Sequence, residues 1–380
     1  GRAINWQTTF YAPRLIMKAG IVGLPNVGKS SLFNCFSNAK AQSANFPFCT
    51  IEPNIGTVNV PDRRINVLES IVKPEKVIPA CIEIVDIAGL VRGGSKGEGL
   101  GNQFLSNIRE TDAIIHVLRC FDNERIIHVD GTVDPVRDKE IIDIELQMKD
   151  LDSINKRIDK IKRQAQTGED LAKKELNVLE KIIKSLERGE SVRNINLSEK
   201  EWESYLEPLK LITAKPVLYV CNVDEKSAIK GNDYVDKIIE LTKNENSLVL
   251  VLAVALEADI NELRTYEERK IFLDDIGLKE PGINKLIRNT YKLLGLENFF
   301  TAGKKEVRSW TIKNGTTAPK AAGVIHSDFE KGFIKAEVIA YSDFVSCSGE
   351  QNARESGKLR IEGKNYIVKD GDIIHFRFNV

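Results

Sequence analysis

Gly23-Leu24-Pro25-Asn26-Val27-Gly28-Lys29-Ser30 is the stretch that decides how the rest of the chain is read. A glycine, four residues and then Gly-Lys-Ser is the spacing of a phosphate-binding loop. Its flanks fit. Residues 19–22 (AGIV) form a short apolar run that reads as a buried strand, and residues 31–37 (SLFNCFS) put Leu32, Phe33 and Phe36 on one side of a helix. In a strand–loop–helix unit, the backbone N–H groups of Asn26, Val27, Gly28, Lys29, Ser30 and Ser31 can converge on phosphate oxygens at a helix N-terminus. Gly23 and Gly28 allow the tight turn and the close approach. The Lys29 ammonium then meets the β- and γ-phosphates as a catalytic charge, and the Ser30 hydroxyl is a ligand for Mg2+.

The surrounding chain sets the scale. At 380 residues, two or three domains are expected. Lys+Arg and Asp+Glu balance at 55 each, so net charge names neither a nucleic acid nor a membrane as partner. The apolar share of 42% and charged share of 29% are those of a globular chain. Six cysteines (Cys35, Cys49, Cys81, Cys120, Cys221 and Cys347) are scattered without metal-binding spacing, as free thiols in a reducing cytoplasm would be. No apolar run approaches the roughly 18 residues that a bilayer span needs, so no membrane partner is expected. Residues 1–16 lack a signal core, and Met17 looks like a natural start with an extension or a remnant before it.

Beyond the phosphate loop, residues 45–54 (NFPFCTIEPN) carry two prolines and read as a loop. A threonine in such a loop can close over a γ-phosphate and supply an oxygen to Mg2+, which makes Thr50 the candidate, against a turn threonine serving local backbone. Residues 80–85 (ACIEIV) read as a strand leading into Asp86-Ile87-Ala88-Gly89. Asp86 is then the second metal-side residue, and the Gly89 N–H the sensor of the γ-phosphate. Leu90 stands where regulatory GTPases place a water-orienting glutamine, and leucine cannot hydrogen-bond a water. Five glycines among residues 93–101 follow, suited to a switch element rather than a plain linker. Residues 113–118 (AIIHVL) are the next buried strand, with His116 a core or edge histidine rather than a catalyst, whereas His128 falls in a loop where it could position water or phosphate.

From about residue 141 the pattern becomes long, charged and helical. Ile144, Leu151, Ile154, Ile158, Ile161 and Ala165, then Leu176, Leu179, Ile183 and Leu186, follow heptad-like spacing. Two helices of about 20–25 residues would pair as an antiparallel coiled-coil hairpin. Strand texture returns at residues 216–221 (PVLYVC), followed by Asn222-Val223-Asp224-Glu225 where a guanine-reading protein carries Asn-Lys-x-Asp. The longer Glu225 misplaces the acceptors that guanine N1 and N2 require, and adenine has no N2 amine to reward them. Residues 247–255 (SLVLVLAVA) are the last buried strand, residues 266–294 are helical with a break at Pro281-Gly282, and short strands and aromatics fill the end of the chain. There, residues 365–376 read as strand, Asp-Gly turn, strand. Residues 301–380 hold 13 Lys+Arg against 10 Asp+Glu, too small a margin to argue RNA binding.

GLPNVGKS (23–30), NFPFCTIEPN (45–54), DIAGL (86–90), GEGLGNQFL (97–105), NVDE (222–225), HSDFEKGF (326–333) and YIVKDGD (366–372) together resemble the YchF-type Obg-like ATPases, over essentially all of residues 17–380. The resemblance implies an α/β phosphate-loop NTPase domain, mostly parallel sheet with helices on both faces, over residues 17–140 and 211–298. It further implies an inserted helical hairpin over 141–210 and a C-terminal β-grasp, ubiquitin-like TGS domain over 299–380. It also implies an ATPase that associates with the ribosome, as large subunit or whole particle, with any RNA contact falling to the TGS domain or the hairpin. Carried onto this chain, Asn26 to Ser31 bind phosphate, Ser30 and Thr50 hold Mg2+, Val223 and its neighbours Asn222 and Glu225 meet the adenine, and His128 takes the catalytic place of the missing glutamine. ATP is the expected substrate and ADP the product. A scaffold that keeps ATP as a slowly hydrolysed ligand, and a GTPase with relaxed base choice, are the competing expectations.

Overall fold

The computed structural model describes residues 17–42, 54–87, 107–128 and 131–379. Thr50, Gly89, Leu90 and the glycines of 93–101 lie outside them. In chain order the first strands are β1 Lys18–Val22, β2 Ile55–Asn59, β3 Lys76–Ile78, β4 Cys81–Asp86, β5 Ala113–Arg119, β6 Val217–Asn222 and β7 Ser247–Leu252. The later ones are β8 Leu296–Ala302, β9 Glu306–Lys313, β10 Phe333–Ile339, β11 Arg360–Glu362 and β12 Ile373–Phe378.

Two compact units share these strands. The first, residues 18–58 and 83–293, holds a sheet in the order β2-β4-β1-β5-β6-β7. β1 runs parallel to β4 on one side and to β5 on the other, and β5, β6 and β7 continue in parallel. Every residue of β5 and β6 is buried, so this sheet is covered on both faces. The order reverses direction at β1, and in open parallel sheets the crevice beyond the carboxyl ends at such a point is where ligands sit. The phosphate loop follows β1 directly.

Between β5 and β6 the chain makes a hairpin of two helices, a long arm Pro135–Gln166 and a short arm Asp170–Glu187. Arg157 grips Glu175 (Nε–Oε1 2.6 Å), and Gln147 donates to the Gly189 carbonyl (3.0 Å), so the arms run antiparallel. Ile154, Ile161, Leu179, Ile182 and Leu186 make the seam. The arms are 32 and 18 residues, not two of 20–25. Ile144, expected in the seam, is 55% exposed. The short arm ends level with Gln147, so Ile144 lies beyond its reach, and Ile142 and Leu146 are buried where the long arm packs on β5.

His116 in β5 is a core histidine, 2% exposed, beside the Tyr219 ring. Burial, then the charges of Lys139 and Arg193, push its pKa down to about 3. Lys139 itself is held by Asp143 (2.7 Å) and Glu245 (2.9 Å). A histidine kept neutral when folded but free to charge when unfolded makes the unfolded chain bind more protons as pH falls below 6.5. The loss amounts to about 2 kcal/mol at pH 5. His116→Leu should therefore flatten the fall in melting temperature between pH 7 and pH 5; an unchanged slope would assign that fall to other groups.

The second unit comprises residues 59–82 and 294–379. Its sheet runs β11-β10-β12-β8-β9-β3. β8 and β9 form an antiparallel hairpin, β12 lies parallel to β8 and antiparallel to β10, and the helix Ala318–Ile325 packs on β9 and β10. That is the β-grasp arrangement. β3 adds a parallel edge strand against β9. The helix Arg63–Val72 joins the same core, with Ile65 and Leu68 beside Phe300, Val307, Ile339 and Phe344. Residues 59–82, read from sequence with the nucleotide-binding part, therefore build this unit. Arg64 fastens them, bonding Asp62 and Asp370 and lying over the Phe300 ring at 5.2 Å. Residues 365–372 do not form the expected first strand: Ile367 makes only an isolated bridge to Thr317, and the Asp370–Gly371 turn leads into β12 alone. Asp372 accepts from the Tyr366 hydroxyl (2.7 Å) and the Lys369 N–H (2.9 Å), which closes the turn on itself.

Candidate nucleotide site

Every group of interest in the first unit sits at the carboxyl end of a parallel strand. After β1 the loop turns with Asn26 at φ 64° and Gly28 at φ 100°, a left-handed pair that brings successive N–H groups to one side. The helix Lys29–Gln42 then begins, with Leu32, Cys35 and Phe36 buried under it and Ser30 and Ser31 exposed. Gly28 is needed twice over, because a Cβ there would meet Asn222 Nδ2 at 2.4 Å. Gly23 is packed as tightly, a Cβ at that position standing 2.9 Å from the Val117 carbonyl.

Lys29 Nζ forms an ion pair with Asp86 Oδ1 at the end of β4, both side chains largely buried. The candidate phosphate-binding cation and the candidate metal-side carboxylate thus meet where β1 and β4 end side by side. Ser30 and Asp86 offer hard oxygen donors beside that cation, and such donors are what Mg2+ takes.

Asn222, 5% exposed at the end of β6, donates from Nδ2 to the Val27 carbonyl (2.9 Å) and accepts at Oδ1 from the Val254 N–H (3.1 Å). One amide therefore ties the phosphate loop to the segment after β7. Val223 is 2% exposed and its N–H donates to the Leu252 carbonyl (3.0 Å), so its side chain belongs to the interior. Glu225 is exposed at the head of a 3-10 turn, Glu225–Ser227, which Asp224 caps at the Ser227 N–H.

The loop after β5 was less legible. Arg119 is 1% exposed, and its guanidinium donates to the carbonyls of Phe121 (3.2 Å), Ile126 (2.9 Å) and Asn123 (3.2 Å). A buried cation satisfied by three carbonyls fixes the path of residues 121–127. That path brings the Ile127 carbonyl to Asn26 Nδ2 (3.1 Å), at the phosphate loop. His128 follows, but its ring is buried, with Nε2–H donating to Asp138 Oδ2 at 2.6 Å. Arg119 falls just past the apolar run of residues 113–118, and Asp138 lies before the helical pattern that starts near residue 141, so the sequence singles out neither. Neither stands in a motif.

A glycine loop after β1, an aspartate at the end of β4 and an asparagine at the end of β6, all on a parallel sheet, define a phosphate-loop NTPase fold of the GTPase type. Residues 18–163 match a family described as "50S ribosome-binding GTPase", and residues 296–379 match the YchF GTPase C-terminal family, described as a protein of unknown function. The "Ribosome-binding ATPase YchF" of Haemophilus ducreyi is 54% identical, covering 96% of this chain and 99% of its own. That of Bacillus subtilis is 49% identical over 96% of this chain and 100% of its own. The chain belongs to the YchF family. The solved Schizosaccharomyces pombe YchF GTPase shares the fold with a TM-score of 0.86 at 39% identity, covering 97% of this chain and 100% of that one.

Proposed function

We propose that this chain is an Mg2+-dependent, ATP-hydrolysing switch that prefers ATP to GTP and associates with the ribosome in the cytoplasm. The observation that carries the reading is the meeting of Lys29 and Asp86 in a crevice whose base-side stretch is Asn222-Val223-Asp224-Glu225. The names of the bacterial relatives supply the ribosome and the ATP. On binding ATP, Lys29 turns from Asp86 to the β- and γ-phosphates, and the N–H groups of Asn26 to Ser31 hold the same oxygens. Ser30, Asp86 and Thr50 would hold Mg2+, which neutralises charge on the transferred phosphoryl group. The Gly89 N–H would sense the γ-phosphate, and His128 would position water in place of the leucine at 90. Asn222 holds the loops around the purine, with Val223 behind them and Glu225 at the purine edge. RNA contact through the β-grasp unit or the hairpin belongs to the same proposal.

Base choice and ribosome association test the reading together. In competition binding, the wild type should take ATP at least as tightly as GTP. Glu225→Asp should shift preference toward GTP by about tenfold, which takes about 1.4 kcal/mol. Ribosome affinity should differ between the ATP-like and ADP states, since a ligand without differential affinity shifts nothing. A wild type that prefers GTP tenfold would refute the ATPase reading, and equal ribosome affinity in both states would refute the switch.

A further inference from the structure

We infer that Asp138 withholds His128 from the phosphate crevice, as a latch in the first turn of the long hairpin arm. The inference rests on the reading of His128 as a group in ATP hydrolysis. The two side chains are 2% and 1% exposed and 2.6 Å apart. An imidazole so buried cannot hydrogen-bond an attacking water from where it stands. The residue before it is nevertheless at the phosphate loop, through the contact of Ile127 with Asn26. Backbone and ring are thus divided: the chain touches the phosphate loop at Ile127, and the ring of the next residue is buried against Asp138.

The holding group is well fixed. Asp134 caps the long arm by accepting from the Val136 and Arg137 N–H groups (both 3.2 Å). Asp138 stands in the turn that follows. Its Oδ1 accepts from Arg137 Nη2 (3.0 Å) and Nε (3.3 Å), leaving Oδ2 for His128. Arg137 also donates to the hydroxyl (3.0 Å) and the carbonyl (2.7 Å) of Thr132, which ties Thr132 to the same turn. Freeing the ring strips a charge-assisted partner from a carboxylate that is 1% exposed, and that cost opposes release. Asp138 is therefore a positioning residue that lowers basal turnover, and it acts only through His128.

Turnover, ATP affinity and melting temperature of the full chain test this in wild type, Asp138→Asn, Asp138→Ala, His128→Ala and the Asp138→Asn/His128→Ala double variant. Asp138→Asn should raise basal turnover by about tenfold, as the loss of one charge-assisted hydrogen bond would, with ATP affinity held. His128→Ala should fall below wild type, and the double variant should match His128→Ala alone, since the two residues act as a unit. Asp138→Ala should reproduce the gain; should it fail to fold, Asp138→Asn decides. Turnover that falls or stays level in the folded Asp138 variants, or a gain that persists in the double variant, overturns the latch. Should His128→Ala alone hydrolyse ATP normally, His128 leaves the mechanism and the latch goes with it. A lowered His128→Ala rate with no gain in the Asp138 variants overturns the latch and leaves the ATPase reading standing.

Discussion

Lys29→Ala should cut ATP turnover at least about a hundredfold, the effect of removing one preorganised charge from a site of developing phosphate charge. Among the described residues, Lys29 is the cation that the phosphate-loop helix brings to Asp86, and its ammonium lies at the carboxyl end of β1 with the sheet behind it. An alanine leaves the loop backbone in place, because the φ 100° turn is set by Gly28 and the helix beyond it buries Leu32 and Phe36 regardless. The fold should therefore persist while the chemistry is lost. ATP titration, steady-state turnover and a melting curve on the same preparation separate these effects. Undiminished affinity and rate would remove the phosphate-loop assignment altogether.

What could be read in advance follows from the range over which each feature is determined. The phosphate loop and the strand end at Asp86 were legible because each is a backbone feature set within a few residues, a left-handed turn and a strand end; Asn222 was legible only by its place after an apolar run, and its ties to Val27 and Val254 span 195 and 32 positions. The buried parallel strands were legible as apolar runs, and His116 as a core or edge residue within one of them, which its 2% exposure settles as core. The hairpin was legible in kind but not in length, because where its seam stops depends on where the short arm ends, and heptad spacing continues past that point to Ile144. Residues 59–82 carry no local sign that Ile65 and Leu68 will bury against Phe300 and Val307, more than two hundred positions away. Arg119 and Asp138 were illegible for another reason. A charged side chain is ordinarily solvated, and only the fold reveals that these two are buried among carbonyls and beside an imidazole.

The second large effect is expected at Asn222. Its amide serves two backbone groups, the Val27 carbonyl and the Val254 N–H, in a place with 5% exposure. Alanine would orphan both, and each buried unsatisfied group costs about 1–3 kcal/mol. The sum, about 2–6 kcal/mol, is comparable with the whole stability of many domains. Asn222→Ala should therefore lower the melting temperature sharply. It should also weaken ATP and GTP alike, because the phosphate loop loses its tie to the segment after β7. Asn222→Asp is the informative companion. Aspartate keeps an acceptor for the Val254 N–H but cannot donate to Val27, so it should recover part of the stability while a carboxylate faces a carbonyl at about the distance of the lost bond. Urea unfolding and nucleotide titration of both variants check the two halves. A stable Asn222→Ala that binds ATP normally would show that the loops hold together without the amide. Loss of GTP binding with ATP binding intact would make Asn222 a reader of the base, and its effect on the phosphate loop secondary.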